Sequence, residues 1–286
     1  MAPSPSYRTR PLSTGNVVSA GISLLRTYFK TYLGLSAKAV LWYLIPFYGW
    51  ARALMIFGQI GRLGFQEIIH QPETVNASLK KVEFRMWSFL GVAILVFIIQ
   101  VAANYAISGV GTALILPFTA VGAGGDAVAI LSGVLVVGVQ LAMFAAQTWI
   151  QARFLLYDVI IAVETETDAT AAITRSWELT QGSAFRVLLV LLVAYVVMAP
   201  LFVLALLPFL FTIPFFAATP ADTPDPALAL ALLLAFLVFA VLLMLGAVIT
   251  VPFWQSIKAV LYYDLRSRRE GIDIQLTHRI RDRERS

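Results

Sequence analysis

The sequence predicts an all-α, polytopic membrane protein built from three helical hairpins and three amphipathic helices that lie at the cytoplasmic interface. Two long stretches, residues 86–152 and 187–257, contain no Lys or Arg, and each is long enough for two crossings of about 20 residues. Each stretch has a turn-rich middle, at 122–126 and at 218–226. Only 13% of the chain is charged and the mean hydropathy is +0.82, whereas soluble domains are about 25% charged.

The basic character of the chain indicates a membrane orientation signal rather than nucleic-acid binding. The net charge is +5, but the basic residues are scattered over several loops and form no recognition motif. The absence of cysteine excludes disulfides, thiol catalysis and Cys-based metal sites. We expect membrane lipids, with anionic headgroups, as partners and other membrane proteins as further candidates, with no nucleic acid and no cofactor.

The chain divides by composition into two polar tails around one apolar body. We predict a disordered Pro/Ser-rich tail over 1–15, a single membrane domain over 16–270 and a charged tail over 271–286. The predicted outer loops, 111–126 and 218–226, contain no Lys or Arg, so the positive-inside rule places both termini in the cytoplasm. The expected location is a cell inner membrane or a thylakoid membrane.

Three segments have the pattern of interfacial helices, with a basic polar face opposite an apolar one. The first covers 16–33, the second begins at Gln71-Pro72-Glu73, and the third is N-capped by Asp168 and ends near Gly182. The candidate contacts with lipid headgroups on these helices are Arg26, Lys30, Lys80, Lys81, Arg85 and Arg175.

An apolar hairpin follows each interfacial helix. The second hairpin is predicted over 88–110 and 127–150, and the third over 187–217 and 227–254. The first is short, because the stretch from Gly34 to Gly61 has only 28 residues and two full spans need about 40. We predict arms over 34–45 and up to about Ile69, a turn at 46–49, and a partial crossing or a locally thinned bilayer. This gives about six membrane helices, the first pair short.

Pairs of acidic residues six positions apart close each hairpin and suggest a threefold repeat. The pairs are Glu67 and Glu73, Asp158 and Glu164, and Asp264 and Glu270. The predicted units are 16–73, 74–164 and 165–270. Six residues place two helical side chains about 120° apart, so these acids are poor candidates for paired catalytic carboxylates. Solvation of helix ends and contact with basic neighbours is the favoured interpretation.

Seven polar side chains fall in or beside the predicted spans. For the two charged ones, snorkelling to the nearer interface is favoured over a functional role inside the membrane. For the amides, hydrogen bonds between helices are favoured over a polar pathway, because no acidic residue lies among them. These seven positions are Lys38, Arg52, Gln100, Asn104, Gln140, Gln147 and Gln151. The two histidines, His70 and His278, lack the further ligands that a metal site needs.

Three short motifs carry a resemblance to a known family. The segments 42–50 (WYLIPFYGW), 171–180 (AAITRSWELT) and 262–266 (YYDLR) resemble the membrane domain of glycerophosphoryl diester phosphodiesterases. They are most similar to the stand-alone cyanobacterial integral membrane proteins that carry that label, and the resemblance covers about residues 12–275. In the enzymes of this family the chemistry belongs to a separate soluble barrel, for which this chain has no segment. The resemblance therefore implies a membrane module and supplies no catalytic residue.

The sequence favours a non-catalytic role over transport and over catalysis. We expect a structural or interaction module that engages lipid headgroups or partner proteins at the cytoplasmic membrane surface. The alternative is a transporter or carrier of a lipid-like or small amphiphilic solute, for which the three prolines at 200, 208 and 214 are weak support. An enzyme is the least expected class, because no nucleophile–base set or metal-ligand cluster is visible.

Overall fold

The computed structural model describes residues 13–121, 126–165, 167–210, 212–213 and 226–270. These ranges are almost entirely helical and contain no β-strand. The helices are α1 Thr14–Thr27, α2 Phe29–Trp42, α3 Tyr48–Ile68, α4 Val75–Glu83, α5 Met86–Val121, α6 Asp126–Phe154, α7 Tyr157–Val163, α8 Ala169–Thr180, α9 Ala184–Leu210 and α10 Pro226–Glu270. Most of the predicted tail 1–15, the whole of the tail 271–286, residues 122–125 of the first predicted outer loop and residues 218–225 of the second lie outside the described residues. The rest of the first predicted outer loop is not a loop, because α5 continues to Val121.

Four of the described helices are long and apolar enough to cross a membrane, which indicates a membrane-embedded protein. They correspond to α5, α6, α9 and α10, with α6 continuing through α7 in the apolar stretch. The arms of the predicted first hairpin are not among them. Helix α2 has 14 residues, about 21 Å, and α3 carries Arg52 and Arg62. The all-helical class and the membrane helices are thus confirmed, while a six-helix topology stays a prediction.

Two predicted interfacial helices have different bounds in the structure. The predicted helix 16–33 is broken at Tyr28, whose φ and ψ of −108° and 22° end α1 and begin α2. The second helix begins at Val75, not at Gln71, because the Thr74 side chain caps it by accepting from the Ala77 N–H. The helix predicted at Asp168 does form, since the Asp168 carboxylate accepts from the Ala171 N–H at 2.7 Å.

The first hairpin forms and reaches part of the way along α10. Helices α2 and α3 pack together around a turn at residues 43–47, three residues earlier than the predicted turn at 46–49, whose last two residues begin α3. Helix α3 runs parallel to α10, with Gly61 beside Gln255 and Gly64 beside Ala259. Extending this register brings Tyr48, the start of α3, level with about residue 242, roughly 24 Å short of the start of α10. The first hairpin is therefore much shorter than the third.

The turn of the first hairpin exposes large apolar side chains. Phe47 is 70% exposed, Leu44 59% and Ile45 48%, at the end of the hairpin that lies beside the apolar part of α10. A cluster of this kind, exposed in the absence of a membrane, suits immersion in hydrocarbon. The turn is tight: Phe47 has a φ of +57°, and a Cβ on Gly49 would lie 2.1 Å from the Trp42 carbonyl oxygen.

The three hairpins contact one another in a cyclic order. The second arm of each hairpin contacts the first arm of the next: α3 contacts α5, α6 contacts α9, and α10 contacts α2. We call the helix that ends each hairpin its exit: α3 for the first, α7 for the second and α10 for the third. Each amphipathic helix packs on the exit of the preceding hairpin, with α4 on α3, α8 on α7, and α1 on α10. The three exits, α3, α7 and α10, meet at the centre of this arrangement.

Glycines on α3 allow the exits to approach closely. A Cβ on Gly58 would lie 2.2 Å from Cε1 of Phe89, and a Cβ on Gly61 would lie 2.9 Å from Oε1 of Gln255. Both neighbours are buried, at 1% and 3% exposure. Helix α3 is consequently largely buried, and it brings side chains of all three hairpins to one place.

Candidate functional site

The acidic residues at the hairpin exits are held by basic partners. In the first unit Arg62 donates to Glu73 through two bonds, Nε to Oε2 at 3.0 Å and Nη2 to Oε1 at 2.8 Å. Lys81 adds a third bond to Glu73 at 2.6 Å. Burial by itself would raise the pKa of Glu73, but the hydrogen bonds and charges of Arg62 and Lys81 outweigh it and hold that pKa below its ordinary value.

Glu67, the other acid of the first unit, lies against the break between α1 and α2. Its hydrogen bond to Tyr28, together with burial and its negative charge, raises the pKa of Tyr28 to about 12. The phenol therefore stays protonated and can keep donating to Glu67. This contact links α1 and α2 to the end of α3.

Two arginines of the first and second units cap the carboxyl end of α7. Arg62 donates to the Ala162 carbonyl at 2.6 Å. Arg85 donates to the Ile161 carbonyl at 2.6 Å and to the carbonyls of Glu164 and Thr167. The last carbonyls of a helix lack intrahelical donors and carry partial negative charge, which makes guanidinium groups suitable partners.

Glu164 and Glu270 join one charged network. Glu164 accepts from the Tyr262 hydroxyl at 2.7 Å and pairs with Arg175, which also reaches Glu270. Arg266 donates to Glu270 at 2.8 Å. Asp264 pairs separately with Arg186 at 3.1 Å and Arg268 at 3.0 Å. The predicted contact of the repeated acids with basic neighbours is therefore observed for these described residues.

Arg153, the basic residue at the second exit, is held by aromatic rings. Its guanidinium lies 5.0 Å from the Trp149 ring centroid and 4.5 Å from that of Trp177. Ser176 of α8 bridges the nearby break between α6 and α7, because its hydroxyl donates to the Arg153 carbonyl and accepts from the Leu156 N–H. Helix α8 is thus fixed to the end of α6.

The six candidate headgroup residues separate into exposed and occupied groups. Arg26, Lys30 and Lys80 are exposed, and among the described residues they form no ion pair. Lys81 and Arg175 are engaged in the ion pairs described above. Arg85 is placed otherwise than expected: it is 8% exposed, and its guanidinium donates to one carbonyl in the last turn of α7 and to two carbonyls after that helix.

The seven intramembrane polar positions divide in a similar way. Arg52 pairs with Glu83 at 2.9 Å. Gln147 donates to Gln100 at 3.3 Å, linking α6 to α5, and Gln151 accepts from the Tyr195 hydroxyl at 2.7 Å, linking α6 to α9. The remaining three positions are exposed: Lys38, Asn104 and Gln140. The predicted hydrogen bonds between helices thus occur between α5 and α6 and between α6 and α9.

A cavity of about 420 Å³ lies where the three hairpins meet. At one end Asp158 accepts from Lys258 and from Gln255, each at 2.7 Å, and the Lys258 ammonium lies 5.7 Å from the Tyr157 ring centroid. At the other end the lining is apolar and aromatic, with Leu54 among its members. Aromatic pairs stand in the wall, such as Tyr195 and Trp254 with ring centroids 5.3 Å apart. A cavity with a polar end and an apolar end suits an amphiphile.

Sequence reasoning missed several of these residues. Tyr195 and Gln255 each complete a polar contact in the cavity, and each was hidden inside an apolar stretch where a single polar residue predicts nothing about its partner. Gln255 precedes Lys258 by three residues, so the two share a helix face, and that spacing was the available signal. Within the described chain, no three His, Asp or Glu side chains converge as metal ligands.

Comparison of the chain with protein-family models, with curated proteins and with solved structures gave no match in any of the three. The resemblance of the three short motifs to the phosphodiesterase membrane domain accordingly stays a prediction.

Proposed function

We propose that this chain is a non-catalytic integral membrane module that engages anionic lipid headgroups at the cytoplasmic surface. The observation that carries the proposal is the contrast between occupied and unoccupied cations. Arg62, Arg186 and Lys258 pair with internal acids. By contrast, Arg26, Lys30 and Lys80, on the amphipathic helices and at the start of α2, are exposed. Among the described residues these three cations form no ion pair, which leaves them available to an external anion.

The position of α1 supports this proposal. Its Gly21 lies against Ile257, next to Lys258, the first basic residue after the long apolar stretch. A helix at that level lies beside the headgroups if Lys258 marks the membrane boundary, as the positive-inside rule expects. In the proposed topology the basic side is cytoplasmic, both termini lie there, and the three hairpins, the first of them partial, contribute about six membrane helices.

A test compares two triple variants of the full-length protein in nanodiscs of mixed phosphatidylglycerol and phosphatidylcholine. Replacing Arg26, Lys30 and Lys80 by Gln removes three charges, and each charge near an anionic surface contributes about 1 kcal/mol. We expect the preference for phosphatidylglycerol, measured by native mass spectrometry of retained lipids, to fall sharply. The control exchanges Lys and Arg at the same positions and keeps the preference. An unchanged preference in the Gln variant contradicts the proposal.

The second candidate, a carrier of a small amphiphile, is favoured by the cavity between the hairpins. Its polar end at Asp158 and Lys258 and its aromatic walls fit such a solute. Purified protein in liposomes would transport a labelled amphiphile faster than protein-free liposomes under this second proposal. Equal flux in both preparations leaves the module without a carrier function.

A further inference from the structure

We propose that the central cavity binds an uncharged amphiphile through a carbonyl oxygen of its head. The cavity has a volume of about 420 Å³, within the range of roughly 300–1,000 Å³ that small-molecule sites occupy. All three hairpins contribute to its wall, which makes it a feature of the assembled fold. This proposal goes beyond headgroup contact on the outer surface and does not depend on it.

The Asp158 carboxylate at the polar end of the cavity already accepts three hydrogen bonds, and the side-chain oxygen of Gln255, which has no partner among the described residues, is buried against Gly61 of α3. Oδ1 of Asp158 accepts from the Val159 N–H at 2.9 Å. Oδ2 accepts from Nε2 of Gln255 and from Nζ of Lys258, each at 2.7 Å. With three donors on one carboxylate, a ligand that brings further hydrogen-bond donors finds no good acceptor there.

Donors, in contrast, are in surplus. The Lys258 ammonium has three N–H groups and, in the part of the chain that the structure describes, it donates only to Asp158. The Gln151 side chain uses its oxygen to accept from Tyr195, and its amide nitrogen has no acceptor among the described residues. Both residues line the cavity, so the missing partner is a hydrogen-bond acceptor.

Charge decides which kind of acceptor fits. Asp158 and Lys258 form a neutral pair whose side chains are only 8% and 13% exposed. An anionic head at Lys258 would lie close to the Asp158 carboxylate in a poorly solvated place, and a cationic head would meet the ammonium. A carbonyl oxygen accepts hydrogen bonds without bringing a charge, so it fits the neutral, donor-rich end.

The direction of the cavity fits an amphiphile lying along the bilayer normal. Lys258 follows the apolar stretch 187–257 and marks the polar end. Leu54 and Phe57 lie on α3 towards the turn of the first hairpin, and Tyr43 stands in that turn. Tyr43 and Phe57 stack with ring centroids 5.9 Å apart. The head would lie near the interface and the apolar part would extend towards the middle of the membrane.

Two sources of this chemistry are distinguished by the test: a fatty ester and a quinone. Full-length protein in nanodiscs receives methyl oleate, decylubiquinone, oleate or dodecylamine at equal mole fraction, and the unfolding temperature is measured. We expect a rise with a neutral amphiphile and none with the two ions. A rise with methyl oleate alone assigns an ester, and a rise with decylubiquinone alone assigns a quinone. No rise with either, or a larger rise with an ion, overturns the proposal.

Matched variants locate the binding. Val251 lines the cavity, so Val251→Trp fills it and should abolish the rise in unfolding temperature. The control is Ile249→Trp on the same helix, which should keep the rise because Ile249 is 43% exposed. If Val251→Trp does not fold, Thr250→Phe fills the same space. Lys258→Met and Gln151→Met each remove a donor and should weaken the apparent affinity about tenfold. A rise in the cavity-filling variant equal to that of the wild type contradicts the assignment.

Discussion

Arg62 and Glu73, on the two sides of the turn between α3 and α4, form a two-bond ion pair that is almost closed to solvent. The side chains are 7% and 11% exposed, and the same guanidinium also donates to the Ala162 carbonyl at the end of α7. One arginine therefore joins the exits of the first and second hairpins. The Arg62 guanidinium stabilises this helix arrangement only while both of its partners, Glu73 and the Ala162 carbonyl, are present.

Replacing Arg62 by Gln should destabilise the protein strongly. The change leaves Glu73 with only the exposed Lys81 and removes a donor from the Ala162 carbonyl, and breaking a buried ion pair costs about 3–5 kcal/mol. The free energy of unfolding in detergent micelles measures the loss. Arg52→Gln is the matched control, since its pair with Glu83 is 26% and 50% exposed and should lose about 1 kcal/mol or less. Equal losses of unfolding free energy in the two variants would show that Arg62 does not join the first and second hairpins.

The stability of the protein should fall in acid partly through Glu73. Its pKa in the folded state lies below the ordinary value of 4.5, so its contribution is present above that value and is lost as the pH falls through the folded pKa. Between about pH 5 and about pH 3 the unfolding temperature of Glu73→Gln should decline less steeply than that of the wild type. Glu178→Gln, at an exposed position of α8, should follow the wild-type slope.

Gly58 should not tolerate a side chain. An added Cβ would lie 2.2 Å from the ring of Phe89, which is buried at 1% exposure, and overpacking costs about 1–3 kcal/mol. Gly34→Ala is the control, because a Cβ on Gly34 meets nothing within 4 Å and a helical Gly→Ala change adds up to about 1 kcal/mol. The unfolding temperature should fall for Gly58→Ala and rise for Gly34→Ala. A stabilised Gly58→Ala variant would mean that α3 and α5 are farther apart.

Much of the fold was predictable from the composition of long stretches. Lys and Arg are absent from 86–152 and 187–257 because a charge in hydrocarbon is costly, and α5, α6, α9 and α10 occupy these stretches. The cap at Asp168 was also predictable, because its chemistry is local. The break at Tyr28 was not, since no local pattern in 16–33 marks it.

The candidate site was less predictable because its contacts join distant parts of the chain. Asp158 and Lys258 are 100 positions apart, and Arg85 finds carbonyls 76 to 82 positions away. The sequence around Arg85 predicts a cation on the surface. In the structure Arg85 instead caps the end of α7, and the local sequence does not encode that contact. The threefold repeat stays a prediction, and the cyclic order of the hairpins is what such a repeat would produce.

Reporter fusions test the orientation of the two long hairpins. Fusions after Gly124 and after Thr223 should report the outside, and fusions after Thr167 and Ser286 the inside, because the basic residues flank the hairpins and the outer loops lack them. Alkaline phosphatase and green fluorescent protein fusions give opposite signals on the two sides and control for expression. A reversed result at any of the four sites would overturn this topology.

The most direct test of the central claim, a module of three hairpins with its basic helices on the cytoplasmic side, is the accessibility of residue 6. The chain contains no cysteine, so Ser6→Cys introduces a single thiol. A partial first hairpin returns the chain to the side on which it began, so an impermeant thiol reagent should leave Ser6→Cys unlabelled in intact cells and label it after permeabilisation. Labelling in intact cells would place the N-terminus outside and contradict both the first hairpin and the headgroup contacts of α1.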